Sequence, residues 1–267
     1  MSAVKELGAA ATRALLAELA TTPKPGLVDR ESNGAHRDLS FARLEASALA
    51  LESVFADIAS TAAGQFPSIA LREQLAEIGR CGERTMLAAS GGTNTHRGAI
   101  WALGLLVAAT SMHETQSHPT RSAERIADRA GELARLPDRF APETASHGRI
   151  AARRFGHSGA RGEAAAGFPH VVHVALPALR AGHPLPDVFL RLVASVDDTC
   201  VLHRGGSRAL STAQRGASRA LRAGGSATHA GARSIRELDR ALLAQNASPG
   251  GCADLLAATL LLHAITE

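Results

Sequence analysis

The apolar residues of this chain recur at helical spacing and almost never alternate, which narrows the folds open to it more than any other feature. Leu7, Ala11, Leu15 and Leu19 form one stripe, and Phe41, Leu44, Ala48, Leu51, Phe55 and Ile58 form another behind a cap signal at Ser40. Alanine, leucine and arginine recur while runs of valine, isoleucine and aromatic residues are scarce, a balance that favours helix over strand. Further helices are expected over 68–89, 96–112, 121–135, 170–180, 186–201, 207–223, 230–243 and 249–265. No convincing alternating strand, fixed-period repeat or Pro/Ser-rich linker interrupts them. With 267 residues and 45% hydrophobic content the chain can fill a core. The expectation is an all-α, single-domain multi-helix bundle over 1–267, with its chemistry on the connections.

Composition excludes several classes. No run approaches the ~18 apolar residues of a membrane span, and the N-terminus lacks a signal core, so a cytoplasmic protein without a membrane partner is expected. The net charge is +4, but 25 acidic residues are interspersed with 29 basic ones, aromatic content is 3%, and tyrosine is absent. A nucleic-acid partner is therefore not expected. Cys81, Cys200 and Cys252 lie far apart without a C-x-x-C pair, so buried thiols are expected rather than a disulfide or zinc framework. Lys5 and Lys24 are the only lysines, which leaves phosphate recognition mostly to the planar fork of arginine. The amphipathic helices suit a homodimer face as readily as an internal core.

The breaks at 22–39, 90–95, 136–148, 156–169, 203–207 and 246–251 carry the unusual residues. Ser90-Gly91-Gly92-Thr93-Asn94-Thr95 delivers His96 and Arg97 to the mouth of a nearly uncharged helix, where backbone N–H groups are free to meet phosphate. An ordinary loop and cap would use the same residues. Pro23 and Pro25 hold Lys24 in a restricted backbone beside Asp29 and Asp38, carboxylates suited to Mg²⁺ or to polarising a hydroxyl. His36-Arg37-Asp38-Leu39 resembles part of a kinase catalytic loop, yet its partner asparagine and glycine-rich strand are missing, as are a P-loop and an H-E-x-x-H zinc motif. Arg161 and Glu163 sit between Gly159 and Gly167, glycines that a close backbone approach to a ligand would justify, as would a plain surface pair that contributes little to stability. Asp197 and Asp198 precede Arg204-Gly205-Gly206, and paired acids suit a metal on polyphosphate. Capping explains Ser248 and Pro249, but not Gly250, Gly251 and Asp254 together.

Taken together, T-P-K-P-G-L-V-D-R with N-G-A-H-x-D, G-x-N-T-H-R-G-A-I, G-A-R-G-E-A with G-F-P, D-D-T-C-V-L-H-R-G-G, and N-x-S-P-G-G-C-A-D-L-L-A-x-T resemble the triphosphoribosyl-dephospho-CoA synthase family over 22–259. Arg97 and the wording around Cys200 look more like its malonate decarboxylase branch than its citrate lyase branch, while Thr93 replaces the more usual valine. The resemblance implies an enzyme that joins ATP to the 2′-hydroxyl of 3′-dephospho-CoA and releases adenine. The triphosphate stays on the ribose, and the product is the precursor of a prosthetic group that another transferase delivers to an acyl-carrier subunit.

Such chemistry builds positive charge at ribose C1′ and needs carboxylates and proton-transfer groups, for which Asp29, His36, Asp38, His96 and Glu163 are the candidates. The implied phosphate and nucleotide contacts are Lys24, Gly91, Gly92, Asn94, Thr95, Arg97, Arg161, Arg204, Gly205, Gly206, Ser248, Gly250, Gly251 and Asp254. Mg²⁺ is inferred on Asp38, Asp197 and Asp198. Two other readings use the same residues: a helical adaptor that binds ATP or a CoA-like ligand without reacting, and a metal-dependent ribosyl hydrolase using water in place of the alcohol.

Overall fold

The computed structural model describes residues 3–112, 122–142 and 147–267. Its helices are α1 (Ala3–Ala20), α2 (Phe41–Ala50), α3 (Glu52–Ala62), α4 (Ile69–Ala89), α5 (Arg97–Ser111), α6 (Ala123–Arg135), α7 (His147–Phe155), α8 (Gly159–Ala165), α9 (Leu176–Arg180), α10 (Leu185–Ser195), α11 (Thr199–Arg222), α12 (His229–Ala244) and α13 (Gly250–Thr266). The described residues contain no strand, and no helix is long and apolar enough to cross a membrane. Local chemistry sets many of the starts. The side chains of Ser40, Ser68, Ser122 and Thr228 each accept a backbone N–H from the first turn they precede. A π-helical stretch, Val171–Ala175, runs into α9 next to Pro177, which has no N–H to sustain regular spacing.

Two helices that are apolar on nearly every face, α5 and α13, lie at the centre. α5 packs against α1, α3, α4, α6 and α13, and α13 packs against α1 and α10. Buried side chains form one contiguous core from Ala10 to Leu262 that includes Phe55, Phe168 and Phe189. A satellite of Leu19, Val28 and Leu39 fixes the underside of the long loop between α1 and α2. Burying these groups is what holds a helix-only chain together, since helices of this length are marginal alone.

Several expectations are corrected. The stripe over 41–58 is broken at the fully buried Leu51, where α2 ends and α3 begins. The helix expected over 186–201 divides, because Val196 is extended and the side chain of Asp198 caps a new helix. The stretch 156–169, read as a loop, contains α8. The helix expected from 207 begins earlier, at Thr199, and passes through a kink at Gly206 (φ 65°, ψ −167°). Position 121 lies outside the described residues. Of the thiols, only Cys252 is buried, whereas Cys81 and Cys200 face outward from their helices.

The Gly206 conformation is one that a Cβ strongly disfavours. Gly206→Ala should lower unfolding free energy by ~1–3 kcal/mol in urea titrations followed by circular dichroism, while the exposed neighbour change Ser207→Ala should stay within about 0.5 kcal/mol.

Candidate active site

The starts of α5, α11 and α13 are tied together by carboxylates. Asp198 Oδ1 accepts the N–H of Cys200 at 2.7 Å and of Val201 at 3.2 Å, and its Oδ2 accepts that of Cys252 at 2.8 Å. One side chain thus caps two helices. Asp254, near the start of α13, accepts the backbone N–H of Ala99 in the first turn of α5. A Cβ at Gly98 would lie 1.9 Å from Asp254 Oδ2, so this approach of the two helices requires glycine. Burial pushes the Asp254 carboxyl well above the usual carboxylate range, and the nearby Glu18 and Asp198 charges push it further. Burial also raises Asp198, against the pull of its three backbone donors.

These contacts correct the idea of an open helix mouth before α5. The Ala99 amide is taken by Asp254 and the Arg97 amide by Asn94 Oδ1 at 3.2 Å. Gly91 and Gly92 are exposed at φ 70° and 90°, and the Gly92 N–H bonds Leu87 O at 2.7 Å. They terminate α4 rather than cradle a ligand. Thr95 exchanges a 2.9 Å hydrogen bond with Ser47.

The loop after α1 uses its charged residues on itself. Asp29 accepts the N–H groups of Lys24 at 3.0 Å, Glu31 at 2.8 Å and Ser32 at 3.0 Å, so its carboxylate organises the loop and is not free for catalysis. Lys24 Nζ is buried against Glu18 at 2.5 Å. His96 Nε2 lies 3.1 Å from the Leu44 carbonyl, which can only accept, so this nitrogen carries the proton. Burial lowers the His96 pKa to about 4, with Lys24 adding to the shift against the Leu44 carbonyl.

His36 is held on both sides. Arg204 Nη2 donates to Nδ1 at 3.2 Å, which leaves Nε2–H to donate to Ser248 Oγ at 2.9 Å. Burial and then the Arg204 charge lower His36 to about 4, against Asp38 3.9 Å away. Ser248 therefore serves His36 and does not cap α13 by its side chain. Arg204 also donates to Ala35 O at 3.1 Å and Asn246 Oδ1 at 3.3 Å. Lys24 and Arg204 anchor the loop instead of standing ready for phosphate. Gly205 packs on Ala209, and Gly250 on the Cys200 sulfur.

Two cavities flank the contact between α5 and α8, which the Trp101 indole N–H closes by bonding Ala160 O at 3.3 Å. The first, about 120 Å³, is lined by Glu163, Asp197, Asp198, Gly251 and Asp254, together with His157 and His170. His170 Nδ1 donates to Glu163 Oε2 at 2.7 Å, and this bond raises the imidazole pKa against its burial. His157 Nδ1 lies 3.0 Å from Asp197 Oδ2. The second cavity, about 140 Å³, holds Arg97 and Arg161 beside Arg72, Arg80 and Trp101. The expected cations thus separate into an arginine cleft and a loop anchor.

Residues 4–267 match the family of ATP:dephospho-CoA triphosphoribosyl transferases. A Klebsiella pneumoniae relative named 2-(5''-triphosphoribosyl)-3'-dephosphocoenzyme-A synthase is 47% identical, with 99% of this chain and 96% of the relative covered. The chain belongs to this transferase family. A Pseudomonas putida relative assigned the same activity is 49% identical, over 98% of this chain and 95% of its own. In the crystal structure of an Archaeoglobus fulgidus protein assigned as a triphosphoribosyl-dephospho-CoA synthase, the fold recurs with a TM-score of 0.56 at 18% identity, covering 83% of this chain and 98% of that one.

Within this transferase chain the residues inferred for Mg²⁺ do not form a cage. Asp38 is largely exposed beside His36, Asp197 bonds His157 and Gln214, and Asp198 is committed to three backbone amides. Among the described residues no group of three or more His, Cys, Asp or Glu is arranged for a metal. The sequence reading missed Glu18, Arg72, Arg80, Trp101, His157 and His170. His170 alone carried a signal, directly following the Gly167-Phe168-Pro169 motif; the others lie on helices or short bends whose partners are distant in sequence.

His36 and His96 have folded pKa values below the model-peptide 6.5, so they stabilise the fold above that pH and the gain is lost as pH falls toward about 4. Urea titrations from pH 7 to 4 should show this loss, and His96→Gln should flatten the slope; an unchanged slope would reject the buried, neutral imidazole.

Proposed function

We propose that the chain transfers the 5-triphosphoribosyl group of ATP to the 2′-hydroxyl of 3′-dephospho-CoA, with release of adenine. The single observation that carries the reading is the carboxyl-and-histidine cavity at the joined starts of α5, α11 and α13, in a chain belonging to this transferase family. The 2′-oxygen forms a bond to ribose C1′ as the C1′–N9 bond breaks and its electron pair leaves with adenine. In this reading His157, whose Nδ1 lies 3.0 Å from Asp197 Oδ2, takes the hydroxyl proton at its other ring nitrogen, Nε2. Asp254, kept protonated by burial, supplies the proton that adenine needs to depart. Glu163, steered by His170, faces the positive charge that develops on the sugar. No phosphate bond is cleaved, which agrees with the lack of a P-loop.

Arg97 and Arg161 are assigned to the triphosphate. Mg²⁺, where present, would be carried by the triphosphate, its preferred partner, and would offset its charge. The malonate decarboxylase branch is favoured over citrate lyase by Arg97 and the wording of 197–206, with the product passing to an acyl-carrier subunit.

Incubating the protein with ATP and dephospho-CoA should give free adenine by mass spectrometry; ADP or pyrophosphate in its place would reject the bond cleavage. Adenine released without dephospho-CoA would indicate a hydrolase, and binding without release an adaptor. Asp254→Asn should lower kcat by on the order of 10²–10⁴-fold with little change in KM. Turnover within a few fold of the parent would remove Asp254 as the acid.

A further inference from the structure

The arginine cleft contains a buried cation that the proposed chemistry does not use. Arg72 is 5% exposed and its Nε has no hydrogen-bond partner. Its guanidinium lies 5.0 Å from the Trp101 ring centroid, and that of Arg161 lies 5.5 Å from the same ring. The carboxylates of the cleft pair with two of its other arginines. Glu83 accepts from Arg97 Nε at 2.8 Å, and Asp138 accepts from Arg80 Nη1 at 2.9 Å and from the Phe140 N–H at 3.0 Å. Glu83 and Asp138 are thus taken up by Arg97 and Arg80, and neither bonds Arg72, which lines the same cleft. Burial lowers the Arg72 pKa; Asp138 opposes this, and Arg161 and Arg80 add to it. A buried guanidinium without a matched acceptor is unfavourable unless an anion completes it.

We propose that Arg72, Trp101 and Arg161 form a built socket for a nucleotide's polyphosphate chain. Trp101 holds the two guanidiniums in place, so their planar donors are set before the ligand arrives. The cleft, about 140 Å³, greatly exceeds the ~10–15 Å³ occupied by one water. It adjoins the reaction cavity across α5 and α8, where successive residues divide between the two: Arg97 and Arg161 line the socket, Gly98 and Ala160 the reaction cavity. The socket rests on the proposed function only for the name of its ligand, the triphosphate of ATP or the diphosphate of dephospho-CoA.

Trp101 is the sole tryptophan, so fluorescence of the full-length protein reports the socket directly. Inorganic tripolyphosphate should produce a saturable change whose midpoint rises with salt and weakens at least about tenfold in Arg72→Gln. Arg161→Gln, at an exposed position, should weaken it too, and the exposed Arg236→Gln on α12 should leave it unchanged. Circular dichroism confirms that Arg72→Gln is folded. In turnover, a raised KM for ATP alone supports the socket and assigns it the triphosphate, whereas a raised KM for dephospho-CoA alone supports it and assigns the diphosphate. A flat fluorescence titration with both KM values unchanged in the two cleft variants overturns it. Adenine release with that flat titration would remove the socket and leave the reaction; tripolyphosphate binding without adenine release would do the reverse.

Discussion

The Asp198 carboxylate, accepting amides from the starts of both α11 and α13, is the contact on which the arrangement of the site depends. Hydrogen bonds to a charged group contribute about 1.5–3 kcal/mol each when buried and well aligned, enough to hold two helix ends at one point. With α13 fixed there, Asp254 reaches the first turn of α5, and Gly98 leaves the space that this reach needs. The helix dipoles that converge are thereby met by carboxylates belonging to the chain itself. Their burial, in turn, pushes both the Asp198 and the Asp254 carboxyl above the usual carboxylate range.

A second consequence is a division of labour among the cations. Lys24 and Arg204 occupy loop positions where Glu18, His36 and backbone carbonyls already claim their donors. They stiffen the loop between α1 and α2. Arg97 and Arg161 reach a different cavity, with Trp101 and Arg72 beneath them. The acidic cavity and the basic one adjoin across the contact of α5 and α8, with neighbouring residues of each helix turned to one or the other.

Much of the helical architecture was legible from residue spacing. The stripe through Leu7, Ala11, Leu15 and Leu19 needs only the 3.6-residue period, and the caps at Ser40 and Ser68 need only local hydrogen bonding. The breaks at Leu51 and around 196–198 were not legible, since they arise where burial and a long-range cap override continuity. Glu163, Asp197, Asp198, Gly251 and Asp254 were chosen from their motifs and do line one cavity. Asp29 was chosen with equal reason, yet its oxygens are consumed by neighbouring amides, which no spacing rule reveals. Arg72 and Trp101 were passed over because each reads as an ordinary member of a helix face.

The sequence by itself determined the helical class and the family, because these follow from periodicity and contiguous motifs. Tertiary structure alone decided which charged groups are spent on the fold and which remain available, because that depends on donors and acceptors brought together from distant positions. His36 meets Ser248 and Arg72 meets Trp101 only after the core has closed. Burial then sets their protonation and their need for a partner, and burial is a property of the packed molecule.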